Sequence, residues 1–346
     1  MPKNFVSALA LFGLLIAPWA QGNETAEAEP MLIEELDQAT IDEQWERINA
    51  EWRYNAQMAQ RLLEQTPVND WWARASLLGV LHPHSSVLLE WERLAYSALQ
   101  QGDWEQARAA LLLAPQDSSP ALRLRLLNAW VEQDAGNLAP QLRLALINGR
   151  DGFAALEKFG VFERYDSGLF AVLESLAEAA PEGLSLPPGS DGPPGLNAGE
   201  IVWMNGMGLS AASTPGYGRL PCLDIDYLLE AIDRERAFCL ELGELMETTS
   251  TDILGNLIGV AVQRRWFETL GDEAGAAAVE ARGAEIRRLQ SKVSPDFSGD
   301  PDAERELFLA WRGLAVDHGE VGALRWLEEN CDNFDSSASC LLGAKQ

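Results

Sequence analysis

The sequence predicts an all-α protein, and three observations carry that prediction. Apolar residues recur at helical spacing through most of the chain, Pro, Gly, Asp and Ser fall where helices start and stop, and only one short stretch reads as extended. The expected architecture is a helical-hairpin repeat array, solenoid-like, over residues 40–180. A Pro/Gly-rich connector over 181–222 and a second, disulfide-bearing helical domain over 223–346 follow it.

Residues 1–22 read as a signal peptide. Lys3 supplies a positive start, Phe5 to Ala17 form an apolar run, Pro18 breaks it, and Ala20-Gln21-Gly22 offers the small residues that signal peptidase requires. The run is short of the roughly 20 residues needed to span a bilayer, and no later segment is long and apolar enough, so no membrane insertion is expected once the signal is removed. The expected location is periplasmic or secreted. Removing the leader takes away Lys3 and no acid, leaving 25 basic against 53 acidic side chains and a formal charge of -28. Residues 23–39 read as an acidic flexible segment, and between residues 23 and 43 eight carboxylates stand with no Lys or Arg. Such a field repels phosphate backbones and anionic lipid, which excludes nucleic acid as a partner.

From Thr40 the helix boundaries are plain. Thr40-Ile41-Asp42-Glu43 is a capping box, opening a helix whose Trp45, Ile48, Trp52, Ala56, Ala59 and Leu63 form one stripe until Pro67. Further helices are expected from about Asp70 to Leu81, from about Ser86 to Gln101, and from Trp104 to Ala114, with Gly102 ending one and Asp103 capping the next. Pro120-Ala-Leu-Arg-Leu-Arg-Leu-Leu recurs as Pro140-Gln-Leu-Arg-Leu-Ala-Leu-Ile, each proline in the first turn of a helix.

Leu94 to Pro115 resembles the tetratricopeptide helix-turn-helix: a Gly102-Asp103-Trp104 turn, a small residue at Ala107 and a closing proline at Pro115. The likeness covers about one repeat, and Tyr96 stands two places earlier than the family's tyrosine. It implies stacked hairpins that bury a face only against neighbours, with Ala107 at a close helix approach.

Residues 181–221 hold seven prolines and nine glycines, a composition that cannot sustain a helix. Within them, Glu200-Ile-Val-Trp-Met-Asn-Gly reads as a brief extended piece or as a helix with an awkward glycine. Helices resume over about 224–246, 250–269, 272–292, 302–317 and 320–330, with Ser250, Asp300 or Pro301, and Gly319 at the joints.

Four cysteines, 222, 239, 331 and 340, permit three connectivities, and an oxidising compartment favours their pairing. The expected pairs are Cys222 with Cys239 and Cys331 with Cys340. A straight helix from 222 to 239 would hold its ends roughly 25 Å apart, so the first pair demands a break, which Asp233 supplies as the cap of a new helix.

Chemistry-bearing patterns are sparse, and no cofactor motif is present. His82 and His84 flank Pro83 without a third zinc ligand and read as a polar turn rather than a metal site. Gly208-Leu209-Ser210-Ala211-Ala212 lacks the last glycine of a nucleophile elbow. Asp224 and Asp226 sit where a helix start wants acids. Glu174-Ser175 stands in an ordinary amphipathic helix, without the downstream partner that a lysozyme-like lytic enzyme requires. Twelve tryptophans are many for a helical chain, and adjacent Trp71 and Trp72 cannot both be central to one stripe. Trp71, Trp72, Trp91 and Trp104 are therefore the candidate binding surface, with a wide buried face as the competing reading. The expected function is non-catalytic: protein or peptide interaction, or scaffolding, in the bacterial envelope. The alternatives are an envelope enzyme using paired carboxylates, as glycosidases do, and a glycan-binding module.

Overall fold

A computed structural model describes residues 53–54, 57–81, 87–115, 117–159, 161–185, 197–203, 220–292 and 301–330. Among them there is no strand, and the only extended pairing is a single bridge between Asn137 and Arg164. The helices are α1 (57–65), α2 (Trp71–Leu81), α3 (Leu88–Gln101), α4 (Trp104–Leu112), α5 (Pro120–Gln133), α6 (Leu138–Ile147), α7 (Gly149–Phe159), α8 (Leu169–Glu178) and α9 (198–203). After a 3-10 turn at Pro221–Leu223 come α10 (Ile225–Glu230), α11 (Asp233–Thr249), α12 (Ile253–Thr269), α13 (Glu273–Lys292) and α14 (Pro301–Asn330).

Local chemistry sets the boundaries. Gly102 takes φ 67°, open to glycine, and hands α3 over to α4, whose first turn is capped by the Asp103 carboxylate accepting from the Gln106 N–H at 3.0 Å. Ala107 is buried immediately beyond this turn. Pro120 opens α5 at a position that has no helical acceptor to lose, and the Asn137 side chain caps α6.

Consecutive helices from α2 to α7 pack side by side, but the array does not run on as an open solenoid. Helix α8 returns to lie against α2 and α4. Helix α2, buried at every residue except Trp72, is thereby enclosed, and its one charge, Arg74, is met by Glu90 and the Leu63 and Thr66 carbonyls.

The connector does not separate two cores. Residues 198–203 are helical, opened by a capping box in which Glu200 accepts from the Asn197 N–H at 2.8 Å and Asn197 accepts from the Glu200 N–H at 2.9 Å. Ile201, Val202 and Trp203 insert into the core of α2–α8, with Trp203 6.1 Å from Phe170, and Ala315 of α14 joins them. A second core combines Leu138, Leu142, Phe153 and Tyr165 with Leu220, Leu228, Phe238, Leu242 and Met246. A boundary at 181–222 is therefore corrected: apolar surface on either side of it is buried against the other side. A bidentate ion pair from Arg312 to Glu174, at 2.7 and 2.6 Å, ties α14 to α8 across the same divide.

Within the later helices, α11 and α12 cross where Gly243 meets Gly259. A Cβ on Gly259 would stand 2.5 Å from the Glu247 nitrogen, so the two backbones touch. Helix α14 bends at Gly319, at the joint that the sequence places there.

Candidate functional site

The tryptophans are mostly structural. Trp71 is 6 % exposed and donates its indole N–H to the Leu94 carbonyl at 2.9 Å, while Trp91 is 1 % exposed and donates to the Ala110 carbonyl at 2.7 Å. Each thus clamps the helix that follows its own, and neither offers a face to a ligand. That corrects the expectation of a tryptophan surface at these two positions. Trp72 meets Trp71 edge-on at 4.9 Å and packs on the core, and Trp104 has the Arg108 guanidinium 5.0 Å above its ring.

Other candidates resolve simply. The Asp224 carboxylate caps α10, accepting from the N–H groups of Asp226 and Tyr227, so capping rather than metal chemistry explains this pair. Glu174 is held by Arg312, and Ser175 donates to the Ala171 carbonyl. His82, His84, the 208–212 stretch, Cys331 and Cys340 lie outside the described residues.

Among the described residues, a polar constellation forms where α11 turns into α12. Thr249 Oγ1 accepts from the Tyr165 N–H at 2.7 Å, and Thr251 Oγ1 donates to the Asp166 carboxylate at 3.1 Å. Asp166 is itself fixed by buried Asn137, whose side chain accepts from the Asp166 N–H at 2.9 Å and donates to its carbonyl at 2.8 Å. At the head of α12, Asp252 caps by accepting from the Gly255 N–H at 2.7 Å. The bend in α14 then closes over the corner: Glu320 accepts from the Ile253 N–H at 2.7 Å and donates its own N–H to the Thr251 carbonyl at 2.7 Å.

Enclosure shifts these acids toward their neutral forms. Burial raises the Asp252 carboxyl above its ordinary range, with the Gly255 N–H, the Ser167 hydroxyl and Arg143 pulling the other way. Burial together with the nearby Asp252 pushes Glu320 up to about 7, against the Ile253 N–H. Two carboxyl groups thus come together, as an acid–base site requires, but each is turned onto a backbone N–H of one helix start. Among the described residues no group of three or more His, Cys, Asp or Glu side chains is arranged to hold a metal ion. The corner joins the 165–168 segment, α12 and α14 through these buried acids. Its early residues, Ser250-Thr251-Asp252, carry a legible capping signal, whereas the contribution of Glu320 has no local signature.

A second feature presents itself to solvent. Cys222 and Cys239 are disulfide-bonded with Cα atoms 5.4 Å apart, and both are fully buried. The bond is possible because the chain breaks at Ala231–Ile232, one residue earlier than a cap at Asp233 would put it; the Ile232 N–H is met by the Glu235 carboxylate at 3.1 Å. Helix α10 folds back as an elbow whose inner side, Leu228 and Tyr227, packs with Phe153 and Phe238. Its outer edge shows Ile225, Leu229 and Ile232, which are 41 %, 60 % and 63 % exposed. No protein family, characterised protein or solved structure matches the chain.

Proposed function

We propose that this is an exported, non-catalytic helical protein that works by protein–protein contact in the cell envelope, periplasmic or secreted. The leader-like start and the Cys222–Cys239 disulfide support an oxidising compartment. Among the described residues no helix is long and apolar enough to cross a membrane. The tetratricopeptide-like hairpin of α3 and α4 supports an interaction fold.

The outer edge of the elbow carries the reading. Three large aliphatic side chains, Ile225 and Leu229 on α10 and Ile232 at the break beyond its end, stand in solvent on an elbow whose inner side is locked by a disulfide and an aromatic cluster. Exposed apolar surface on a rigid support is what an interface needs, because little freedom remains to be lost on binding. A second reading, hydrolysis by paired carboxylates, draws on Asp252 and Glu320. Their hydrogen bonds to the Gly255 and Ile253 N–H groups favour a structural role for both.

Site-specific photo-crosslinking in the producing cell tests the interaction reading. A photoreactive residue at Leu229 or Ile232 is expected to give one discrete adduct, while the same residue at Val161, 88 % exposed on a different segment, gives none. Equal labelling at all three positions, or none at the elbow, would count against it.

A further inference from the structure

We propose that the end of α14 is a proton-operated latch: residues 320–330 close over α12 and α13 while the Glu320 carboxyl is protonated, and swing out about Gly319 when it ionises. The latch is independent of the elbow and of any partner.

The backbone supplies the hinge. Helix α14 leaves helical conformation at Gly319, with φ 71° and ψ 169°. Before that point it is anchored on the first core by Ala315 and by the bidentate pair of Arg312 with Glu174. Beyond it a different and smaller surface holds the chain. Val321 packs with Val260 of α12 and with Val279 and Ile286 of α13, while Ala323, Leu324 and Leu327 are buried and Glu328 pairs with Arg288 of α13 at 2.5 Å. Two separately fastened halves thus meet at one non-helical residue, which is where a hinge absorbs its rotation.

The catch stands directly after the hinge. Glu320 is half-buried, with its carboxyl turned inward onto the Ile253 N–H at 2.7 Å and its own N–H on the Thr251 carbonyl at 2.7 Å. Among the described residues no cation pairs with it; the charged group that bears on it is the Asp252 carboxyl at the head of α12. Asp252 in turn faces Asp166 from the 165–168 segment and Arg143 from α6. From α13 comes Arg288, already taken by Glu285 and Glu328, and on α14 itself Asp317 and His318 are exposed.

An ionised Glu320 would exchange water for one N–H and a like-charged neighbour, whereas the neutral acid avoids that cost. Burial and Asp252 push this carboxyl up to about 7, so the balance turns near neutrality. An acid raised on closing stabilises the closed form fully at low pH and loses that contribution as pH rises through the raised value. The open fraction therefore grows with pH, and the small surface held by residues 321–327 sets how readily the segment departs.

Amide hydrogen exchange on the intact, oxidised protein, corrected for the intrinsic rate at each pH, tests the latch. The amides of residues 320–330, with that of Ile253, are expected to lose protection by roughly tenfold between pH 6 and pH 8. At pH 8 they should exchange at least roughly tenfold faster than the amides of α3, because a local opening precedes unfolding of the whole chain. Glu320→Gln, neutral at every pH, should hold protection near its pH 6 level throughout. Equal exchange in residues 320–330 and in α3 would show that only global unfolding frees the segment, and would overturn the latch. Protection indifferent to pH would do the same, and both outcomes are read on the unaltered chain. A fall in protection that Glu320→Gln leaves unchanged would overturn the assignment to this carboxyl.

Discussion

Glu320 grips Thr251 through the main chain, its N–H donating to the Thr251 carbonyl at 2.7 Å while its side chain accepts from the next residue but one, Ile253. One residue at the bend of α14 thus brackets the turn between α11 and α12. Thr251 in turn reaches Asp166, so segments far apart in sequence meet at one corner.

The protonation of that corner gives stability a distinctive pH dependence. The Glu320 carboxyl is raised to about 7 by burial and by Asp252, and burial raises Asp252 as well. Acids raised on folding contribute stability that is complete below their unfolded values, near 4, and is lost as pH rises through the folded value. The unfolding free energy from urea melts should therefore fall between pH 5 and pH 8, by about 1–3 kcal/mol, and the midpoint with it. Glu320→Gln, a mimic of the neutral acid, should flatten this slope and raise the midpoint at pH 8. A variant that keeps the wild-type slope would show that Glu320 is not the titrating group.

Two glycines with similar φ should respond differently to alanine. Gly102 has φ 67° and ψ 22°, an ordinary left-handed cap with open space beside it, and Gly102→Ala should cost about 1 kcal/mol. Gly319 has φ 71° and ψ 169°, a region nearly confined to glycine, and a Cβ there would stand 2.7 Å from the Thr251 oxygen. Gly319→Ala should cost about 2–4 kcal/mol in the same urea melts. Equal losses would mean that the bend is not pressed against Thr251.

Ala107 tests the packing of the α3–α4 hairpin. It is buried directly after the Gly102 turn, and Ala107→Leu should overpack the contact and destabilise by about 1–3 kcal/mol. A neutral result would leave the close approach, and the tetratricopeptide likeness with it, without support.

These relationships differ in how far the sequence reveals them. The break before α11 is legible because helix geometry forbids a bond between Cys222 and Cys239 without it; a chain-length constraint is local arithmetic. The Gly102–Asp103 turn and the Asp224 cap are legible because each is completed within three or four residues. Helix 198–203 is obscured by the prolines and glycines around it, and its capping box at Asn197 and Glu200 is easily passed over. The tryptophan surface fails at Trp71 and Trp91 because helical spacing shows which residues share a face but not that another helix covers it. The Asp252–Glu320 corner is least legible, since Glu320 lies 67 residues beyond Ile253, whose N–H it accepts, and nothing near either names the other. The shared cores are hidden for the same reason: a break in composition marks a break in helices, not in packing.

Peptide mapping without reduction, on protein recovered from the envelope or culture fraction of the producing cell, tests most directly whether the chain is exported with its elbow locked by a disulfide. A cross-linked peptide joining Cys222 to Cys239, together with an amino terminus lying beyond the apolar run, is the predicted result. Recovery in the cytosol with free thiols at both positions would contradict it, and would restore a single long helix from 222 onward in place of the elbow.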